Sequence, residues 1–346
     1  PQSVTKALFG RKILEARRST SFNDNNKIEI YRPYSITISN ISGSLKKILE
    51  NLREFVICNI IDRMESKPDI LYGHFWHNGY AVFKAAKRYK IPLFVASGES
   101  EIQLHKHYSS RELIEFTKYV RGVVCVSTKN KVESIKNGLT TEERCTVIPN
   151  AFNKNKFFLK DKYELRKKFG YRNDAFIVAF TGAFIHRKGA KRISDAITYL
   201  NDIMIQSIFI GGGIIQPGCE PDCDGILFKG KLPHDEIVDY LNCADVFVLP
   251  TLSEGSNNAI IEAMACGLPI ISSDRSFNHD ILNATNSILI DPMDIHQIAN
   301  AIQYLKNNPE VRNRLAKKAL IASQKLDISE RALKIKKFIE QKSNNT

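Results

Sequence analysis

Two glutamates eight residues apart, Glu254 and Glu262 in "SEGSNNAIIEAMACGLPIISSD" (253–274), are the sharpest chemical feature of this sequence. Glu262 falls among Ala259, Ile260, Ile261, Ala263 and Met264, a run that reads as a buried helix. An ionised carboxylate left unpaired there is costly to desolvate. It is therefore either paired structurally or turned toward a ligand. Its helical neighbours at three and four residues are Asn258, Ala259, Ala265 and Cys266, a small-residue face that admits a ligand or a closely packed helix. A carboxylate in such a place suits bidentate acceptance from two vicinal hydroxyls, such as those of a ribose. Glu254 precedes the helix on a loop, where Ser256 or Asn257 can cap it and the Gly255–Asn258 amides can hold phosphate or sugar oxygens.

Two other loops carry complementary groups. After "VAFTG" comes "AFIHRKGAK", which places Arg187 and Lys188 at the start of a helix. Adjacent cations beside exposed helix amides make an anion site. After "IFI" come Gly211, Gly212 and Gly213, where the backbone can turn sharply and a ligand can approach closely. Each has a plain structural explanation too, a solvated first turn or a tight turn. Together they offer cations for a diphosphate, amides for sugar or phosphate, and a carboxylate for ribose. That combination describes a nucleotide-sugar site.

The elements that must position these groups are legible in the second half. Apolar strands at 175–184, 207–213, 225–231, 245–251, 268–274 and 287–292 alternate with helical spacing at 187–200, 234–244 and 294–308. Such alternation predicts a parallel sheet covered on both faces, a doubly wound Rossmann-like unit. Helices are expected over 309–324 and 328–342. The first half repeats the grammar, with strands at 69–76, 91–99 and 122–128 and helices at 79–90 and 127–138. The polar, Lys-rich stretch 153–173 reads as the connection between domains. The opening, "PQSVTKALFGRKILEARR", reads as a helix where a doubly wound domain normally begins with a strand and a glycine turn, so the first strand is expected to be missing. The domains expected are 1–152, 153–326 and a C-terminal helix, 327–346, that could cross back to the first domain.

The 346-residue length suggests about two domains. At 43% hydrophobic and 25% charged, the composition is that of an ordinary globular protein. No apolar run is long enough to span a bilayer, and no signal peptide opens the chain. Seven scattered cysteines point to a reduced, cytoplasmic chain; the close pair in "GCEPDCDG" lacks the second ligand pair a zinc site needs. The net charge is +13, and residues 1–150 carry 24 basic against 15 acidic side chains, the remainder 26 against 22. A basic first half fits an anionic membrane face or a phosphorylated substrate. With no DNA- or RNA-binding motif, nucleic acid is not an expected partner.

On Glu254-x7-Glu262 with "AMACGLPIISSD", on "TGAFIHRKG", "IGGG", "FKGKLPHDEIVDYLNCADVFVLPT" and "VIPNAF", and on "GHFWHNGYA" and "VCVST" in the first half, the sequence resembles the family 4 retaining glycosyltransferases. The resemblance implies the GT-B fold, two facing Rossmann-like doubly wound domains. It implies metal-independent hexosyl transfer from a nucleotide-diphospho-sugar, UDP- or GDP-linked, without a cofactor. By the same resemblance Lys188 and Arg187 would neutralise the diphosphate leaving group, Glu254 would position donor sugar hydroxyls, and Glu262 would hold the ribose. Gly255, Ser256, Asn257, Asn258 and Gly213 would line the donor, and Lys231 and Leu232 would hold the base. Two positions depart from the family pattern. Ala183 stands where an Arg usually follows the strand-end glycine, and Arg187 is the candidate replacement. Ser97 stands where a His usually precedes Gly98, which leaves His74, His77 and Glu99 as the first domain's polar candidates.

The acceptor implied is a polysaccharide or a lipid-linked glycan, a lipid diphosphate included, in cell-envelope glycan biosynthesis. The location implied is the cytoplasm, with peripheral contact on the anionic inner face of the membrane through residues such as Phe22, Arg32, Tyr34, Lys46 and Lys47. The alternative is a catalytically impaired nucleotide-sugar-binding homologue, a partner in a glycan-assembly complex. A nucleotide-sugar epimerase is disfavoured by the paired glutamates. A dinucleotide oxidoreductase would need a G-x-G-x-x-G turn followed by an acid, which is absent.

Overall fold

Short runs of Val, Ile and Phe become strands here because they can be buried on both faces of a parallel sheet. In the computed structural model, residues 2–3, 17–22, 26–35, 43–212 and 215–344 are described. They group into two compact units, Pro1–Ala96 with Leu104–Val123, and Ser97–Gln103 with Val124–Thr346.

The chain opens with Gln2–Ser3 (β1), which pairs in parallel with Tyr34–Ser35 (β4). Arg17–Phe22 (β2) and Asn26–Tyr31 (β3) form an antiparallel pair between them. Most of the helix expected over 1–18 lies outside the described residues. Its ends differ from expectation, since Gln2, Ser3, Arg17 and Arg18 are in strands. "RSTSF" and "KIEIY" have the polar–apolar and β-branched character of pairing strands.

Helix Gly43–Asp62 (α1) leads to Leu71–His74 (β5), then Trp76–Tyr89 (α2) and Leu93–Ser97 (β6), parallel to β5. Ser110–Tyr119 (α3), Val120–Cys125 (β7), Thr128–Lys136 (α4) and Cys145–Val147 (β8) follow. The sheet order is β5-β6-β7-β8. Helix α2 lies against β5 backbone to backbone: a Cβ on Gly73 would sit 2.5 Å from the Gly79 Cα. Trp76, Tyr80 and Phe83 of α2 pack around Phe116, with ring centroids 6.0, 5.3 and 5.5 Å away.

In the second unit, Lys162–Phe169 (α5) precedes Phe176–Thr181 (β9), Ala190–Leu200 (α6), Ile205–Ile210 (β10) and Ile226–Gly230 (β11). Ile237–Cys243 (α7), Val246–Leu249 (β12), Asn258–Ala265 (α8), Ile270–Ser273 (β13) and Ser287–Ile290 (β14) continue it. Ile295–Asn307 (α9), Pro309–Ser323 (α10) and Ile328–Asn344 (α11) close the chain. The six strands are parallel in the order β11-β10-β9-β12-β13-β14. This is the doubly wound order 3-2-1-4-5-6, which reverses between β9 and β12. Among the described residues no helix is long and apolar enough to cross a membrane.

Helix α5 corrects the reading of 153–173 as a plain connection. Asp161 caps it by accepting from the Tyr163 and Glu164 amides, and Gly170 ends it at φ 71°. Its inward residue is Arg166, 1% exposed. The guanidinium donates to the carbonyls of Cys243 (2.9 Å), Asn173 (3.0 Å) and Ala175 (3.1 Å) and to Asp245 Oδ2 (2.6 Å). Asp245 also accepts from the Ile177 amide at 2.8 Å and from Lys162 at 2.8 Å. The knot thus locks the beginning of β12 beside the beginning of β9.

Burial by itself would raise the Asp245 pKa, but the charges of Lys162 and Arg166, with hydrogen bonds from Lys162 and the Ile177 amide, outweigh it and hold the carboxyl below its ordinary value. A depressed folded-state value adds stability above the unfolded pKa of about 3.9, and that stability is lost as pH falls through the folded value. Asp245→Asn leaves Arg166 buried without its counter-charge and should cost about 3–5 kcal/mol, seen as a lower urea midpoint by far-UV circular dichroism at neutral pH. The gap between variant and wild type should narrow in acid; an unchanged midpoint would remove the knot from the list of structural constraints.

Candidate functional site

In an open parallel sheet the crevice for a ligand lies beyond the carboxyl ends of the strands where their order reverses. Here those ends belong to β9 and β12. The loop after β9 carries Arg187 and Lys188, and the loop after β12 carries Glu254. Arg187 Nη1 and Lys188 Nζ each lie 2.6 Å from Glu254 Oε1, and Thr251 Oγ1 donates to the same oxygen at 2.9 Å. Glu254 Oε2 takes no hydrogen bond among the described residues. Three expected residues thus meet at one point, and Glu254 is only 9% exposed. The arrangement holds a carboxylate and two cations in a preset order, a surplus of positive charge beside one free carboxylate oxygen.

The backbone that carries these groups is fixed by contact as much as by hydrogen bonds. The Leu252 amide donates to the Arg187 carbonyl at 2.9 Å, and Arg187 Nη1 also donates to the Ser253 carbonyl. Gly189, at φ 83°, starts α6 where a Cβ would lie 2.6 Å from Arg192 Nη2 and 2.8 Å from Pro250 Cγ. Arg192 in turn donates to the Pro250 carbonyl at 2.7 Å and the His186 carbonyl at 2.8 Å, tying the two loops together. Gly255 permits a close backbone approach, for its Cβ would fall 2.2 Å from the Gly98 carbonyl oxygen. Ser253 Oγ donates to the Ser100 carbonyl at 2.9 Å beside it.

The other expected residues fall as follows. Asn257, rather than Ser256, caps α8, accepting from the Ala259 amide at 3.1 Å. Ser256 is engaged by Asn150, whose amide donates to its Oγ at 3.3 Å and whose Nδ2 donates to its carbonyl at 3.2 Å. Asn258 is exposed at the first turn. Lys231 is exposed, and its Cβ lies 2.9 Å from where a Gly212 Cβ would stand; Leu232 is half-buried. Gly213 lies outside the described residues. Glu99 turns its carboxylate back on its own strand end, accepting from the Gly98 amide at 2.9 Å and Ser97 Oγ at 3.3 Å.

Glu262 has a partner. His234 Nε2 lies 3.0 Å from its Oε1, and the imidazole meets Phe157 edge-on at 5.1 Å. Its Oε2 takes no hydrogen bond among the described residues, and the side chain is 12% exposed. Burial raises the carboxyl pKa, and the hydrogen bond and charge of His234 only partly offset that. So both readings of this residue meet: one oxygen is paired and the other is available. His234 was not singled out from the sequence, although "LPHDE" places an imidazole just beyond a strand end.

His74, in the first unit, is exposed at the end of β5, 5.2 Å from the Tyr72 ring. The next residue, Phe75, has φ 71° and ψ 150°. That conformation is almost reserved for glycine and costs on the order of 1–3 kcal/mol. It is held by the Phe75 amide donating to the Ala96 carbonyl (2.8 Å), by the Gly79 amide donating to the Phe75 carbonyl (3.0 Å), and by Asn78 Nδ2 donating to the His74 carbonyl (2.7 Å). All seven cysteines are free.

The chain is similar to known proteins in sequence and in fold. Residues 161–321 match the family described as glycosyl transferases group 1. A protein of Bacillus subtilis assigned as a teichuronic acid biosynthesis glycosyltransferase, TuaC, is 27% identical over 80% of this chain and 70% of its own length. The UDP-Gal:alpha-D-GlcNAc-diphosphoundecaprenol alpha-1,3-galactosyltransferase of Escherichia coli is 29% identical over 52% of this chain and 50% of its own. The chain thus spans only about half of that second relative. Among solved structures, the sucrose-phosphate synthase of Thermosynechococcus elongatus superposes with a TM-score of 0.73 at 19% identity, over 93% of this chain and 85% of that one. HepE of Anabaena, in complex with UDP and glucose, gives 0.71 at 20% identity, over 89% and 86%. The fold is the GT-B class, built of two Rossmann-like domains.

Two variants test the site's construction. Gly255→Ala should destabilise the protein by about 1–3 kcal/mol, because a methyl group cannot fit against the Gly98 carbonyl without moving one backbone; a denaturation midpoint equal to wild type would show that the loop yields freely. Glu262→Gln addresses the buried carboxylate. A raised folded-state pKa adds stability below the ordinary Glu value of 4.5, and that stability is lost as pH rises through the folded value. The melting temperature of Glu262→Gln should therefore gain on wild type as pH climbs through that window, and a constant gap would contradict it.

Proposed function

We propose, from the match of residues 161–321 to the group 1 glycosyltransferases, that this chain is a retaining, metal-independent hexosyltransferase that uses a nucleotide-diphospho-sugar. The observation that carries the reading is the convergence of Arg187 and Lys188 on Glu254 at the reversal of strand order. In the reaction, the bond from the sugar's anomeric carbon to the diphosphate breaks and a bond to an acceptor hydroxyl oxygen forms on the same face. The hydroxyl proton passes to the departing diphosphate oxygen. Charge thus builds on the diphosphate, where the two cations stabilise it more in the transition state than in the ground state.

Glu254 keeps Lys188 and Arg187 in place and offers Oε2 to hydroxyls of the donor sugar. Glu262 offers its Oε2 to the ribose, with Oε1 anchored by His234. The Gly255–Asn258 amides contact sugar and phosphate, and Lys231, Leu232 and Gly213 border the base. We assign substrate binding to His74 and Glu99 as well. The acceptor is a polysaccharide or lipid-linked glycan of the cell envelope. Support comes from relatives named for teichuronic acid biosynthesis and for transfer to a diphosphoundecaprenol-linked sugar. A UDP-linked donor is favoured by HepE, crystallised with UDP and glucose. Such an acceptor places the enzyme on the cytoplasmic face of the membrane.

Calorimetry with UDP, GDP and ADP should show one nucleotide bound selectively. Glu262→Ala should weaken it by about 1.5–3 kcal/mol, the range of hydrogen bonds to a charged group, while the protein stays folded. Binding of none of the three, or equal affinity in the variant, would sink the donor assignment. With the bound nucleotide's sugar derivative, Lys188→Ala should lower kcat by roughly 10²–10³-fold, the loss typical of a removed charge-stabilising group.

A further inference from the structure

The corner between β5 and α2 is strained where nothing in the packing of the unit requires a side chain. A residue at φ 71° and ψ 150° would ordinarily be glycine, yet this one is Phe75. Its ring does not repay the strain by burial, for it is 47% exposed while its neighbour Trp76 is 1% exposed. The corner is nonetheless fixed from both sides, by the Ala96 carbonyl on β6 and by the first-turn amides of Asn78 and Gly79. The ring is held out, at the carboxyl end of a strand of a parallel sheet, which is where such sheets bind ligands.

We propose that Phe75 is a stacking platform for a pyranose ring of the glycan acceptor, flanked by the hydrogen-bonding groups of His74, His77 and Asn78. The chemistry selects this ligand. A pyranose presents an apolar face of C–H bonds and a rim of hydroxyls, so it matches one aromatic ring set among polar side chains. His74, His77 and Asn78 are all exposed beside Phe75. A lipid chain would call for contiguous apolar surface, and these neighbours do not supply it. The inference rests on the proposed function only in taking the ligand to be a glycan acceptor; it makes no use of the nucleotide site.

The test is saturation-transfer NMR on the full chain with the methyl pyranosides of glucose, galactose and N-acetylglucosamine, without nucleotide. Saturation should reach the ring C–H protons of at least one of them. Phe75→Tyr should keep the effect, and Phe75→Leu should weaken affinity roughly three- to tenfold, the range of an aromatic contact beyond its buried area. Phe75→Gly, which relaxes the backbone and removes the ring, should do the same and gives the reading if the leucine variant fails to fold. The proposal is overturned if wild type shows no transfer from any of the three sugars. It is overturned equally if both the leucine and glycine variants retain the effect. Failure here with selective nucleotide binding intact would leave the donor site standing, and the reverse result would leave this platform standing.

Discussion

The pair of buried charges at Arg166 and Asp245 is the constraint on which the second unit turns. Neither group can be tolerated at that depth alone, since an isolated buried ion costs far more than a domain's margin of stability. They are tolerated because the amino ends of β9 and β12 supply three carbonyls for the guanidinium and an amide for the carboxylate, and Lys162 of α5 adds a second cation. Satisfying the pair therefore demands that these two strands lie side by side in one register, Val246 opposite Val178. Apolar packing alone would accept several registers of Val, Ile and Phe. The charges accept one.

What is fixed at one end of the strands is used at the other. β9 and β12 are neighbours where the strand order reverses, and the loops that leave their carboxyl ends meet there, Arg187 and Lys188 reaching Glu254. The glycines of this region serve approach more than flexibility. Gly189 and Gly255 stand where any Cβ would strike a carbonyl of an adjacent segment, so the loops are stacked backbone on backbone and their charged side chains meet at Glu254. In the proposed reaction, preorganisation of this kind would spare the reorientation of dipoles.

Much of this was legible in the residues. The alternation of apolar strands with amphipathic helices in 175–308 foretold the parallel sheet, and the strand-end positions of Arg187, Lys188 and Glu254 foretold their meeting. Local stretches failed where their logic was not hydrophobic. Helix α5 escaped notice because its buried residue is an arginine, which leaves no apolar period to read. Helix α3 was passed over although Ser109 and Glu112 form a full capping box at its start. Helix α1 buries Cys58 and Ile61 but leaves Leu45, Ile48, Leu52 and Phe55 exposed, so its apolar residues do not mark a single inward face. The pairing of Glu262 with His234, and of Gly255 with Gly98, joins residues far apart in sequence. Only a register of strands brings such partners together, and register is a property of the whole sheet.

Trp76 is the single tryptophan of the chain, and it sits fully buried in the first unit against Phe116. Intrinsic emission from this protein therefore has one source and one address. A melting curve recorded by that emission follows the aromatic core of the first unit and is silent on the sheet that bears Glu254 and Glu262. Two optical signals, emission and backbone dichroism, would thus separate the unfolding of the two halves without a label. Since Trp76 directly follows Phe75, the same fluorophore is also a natural reporter of events at that corner.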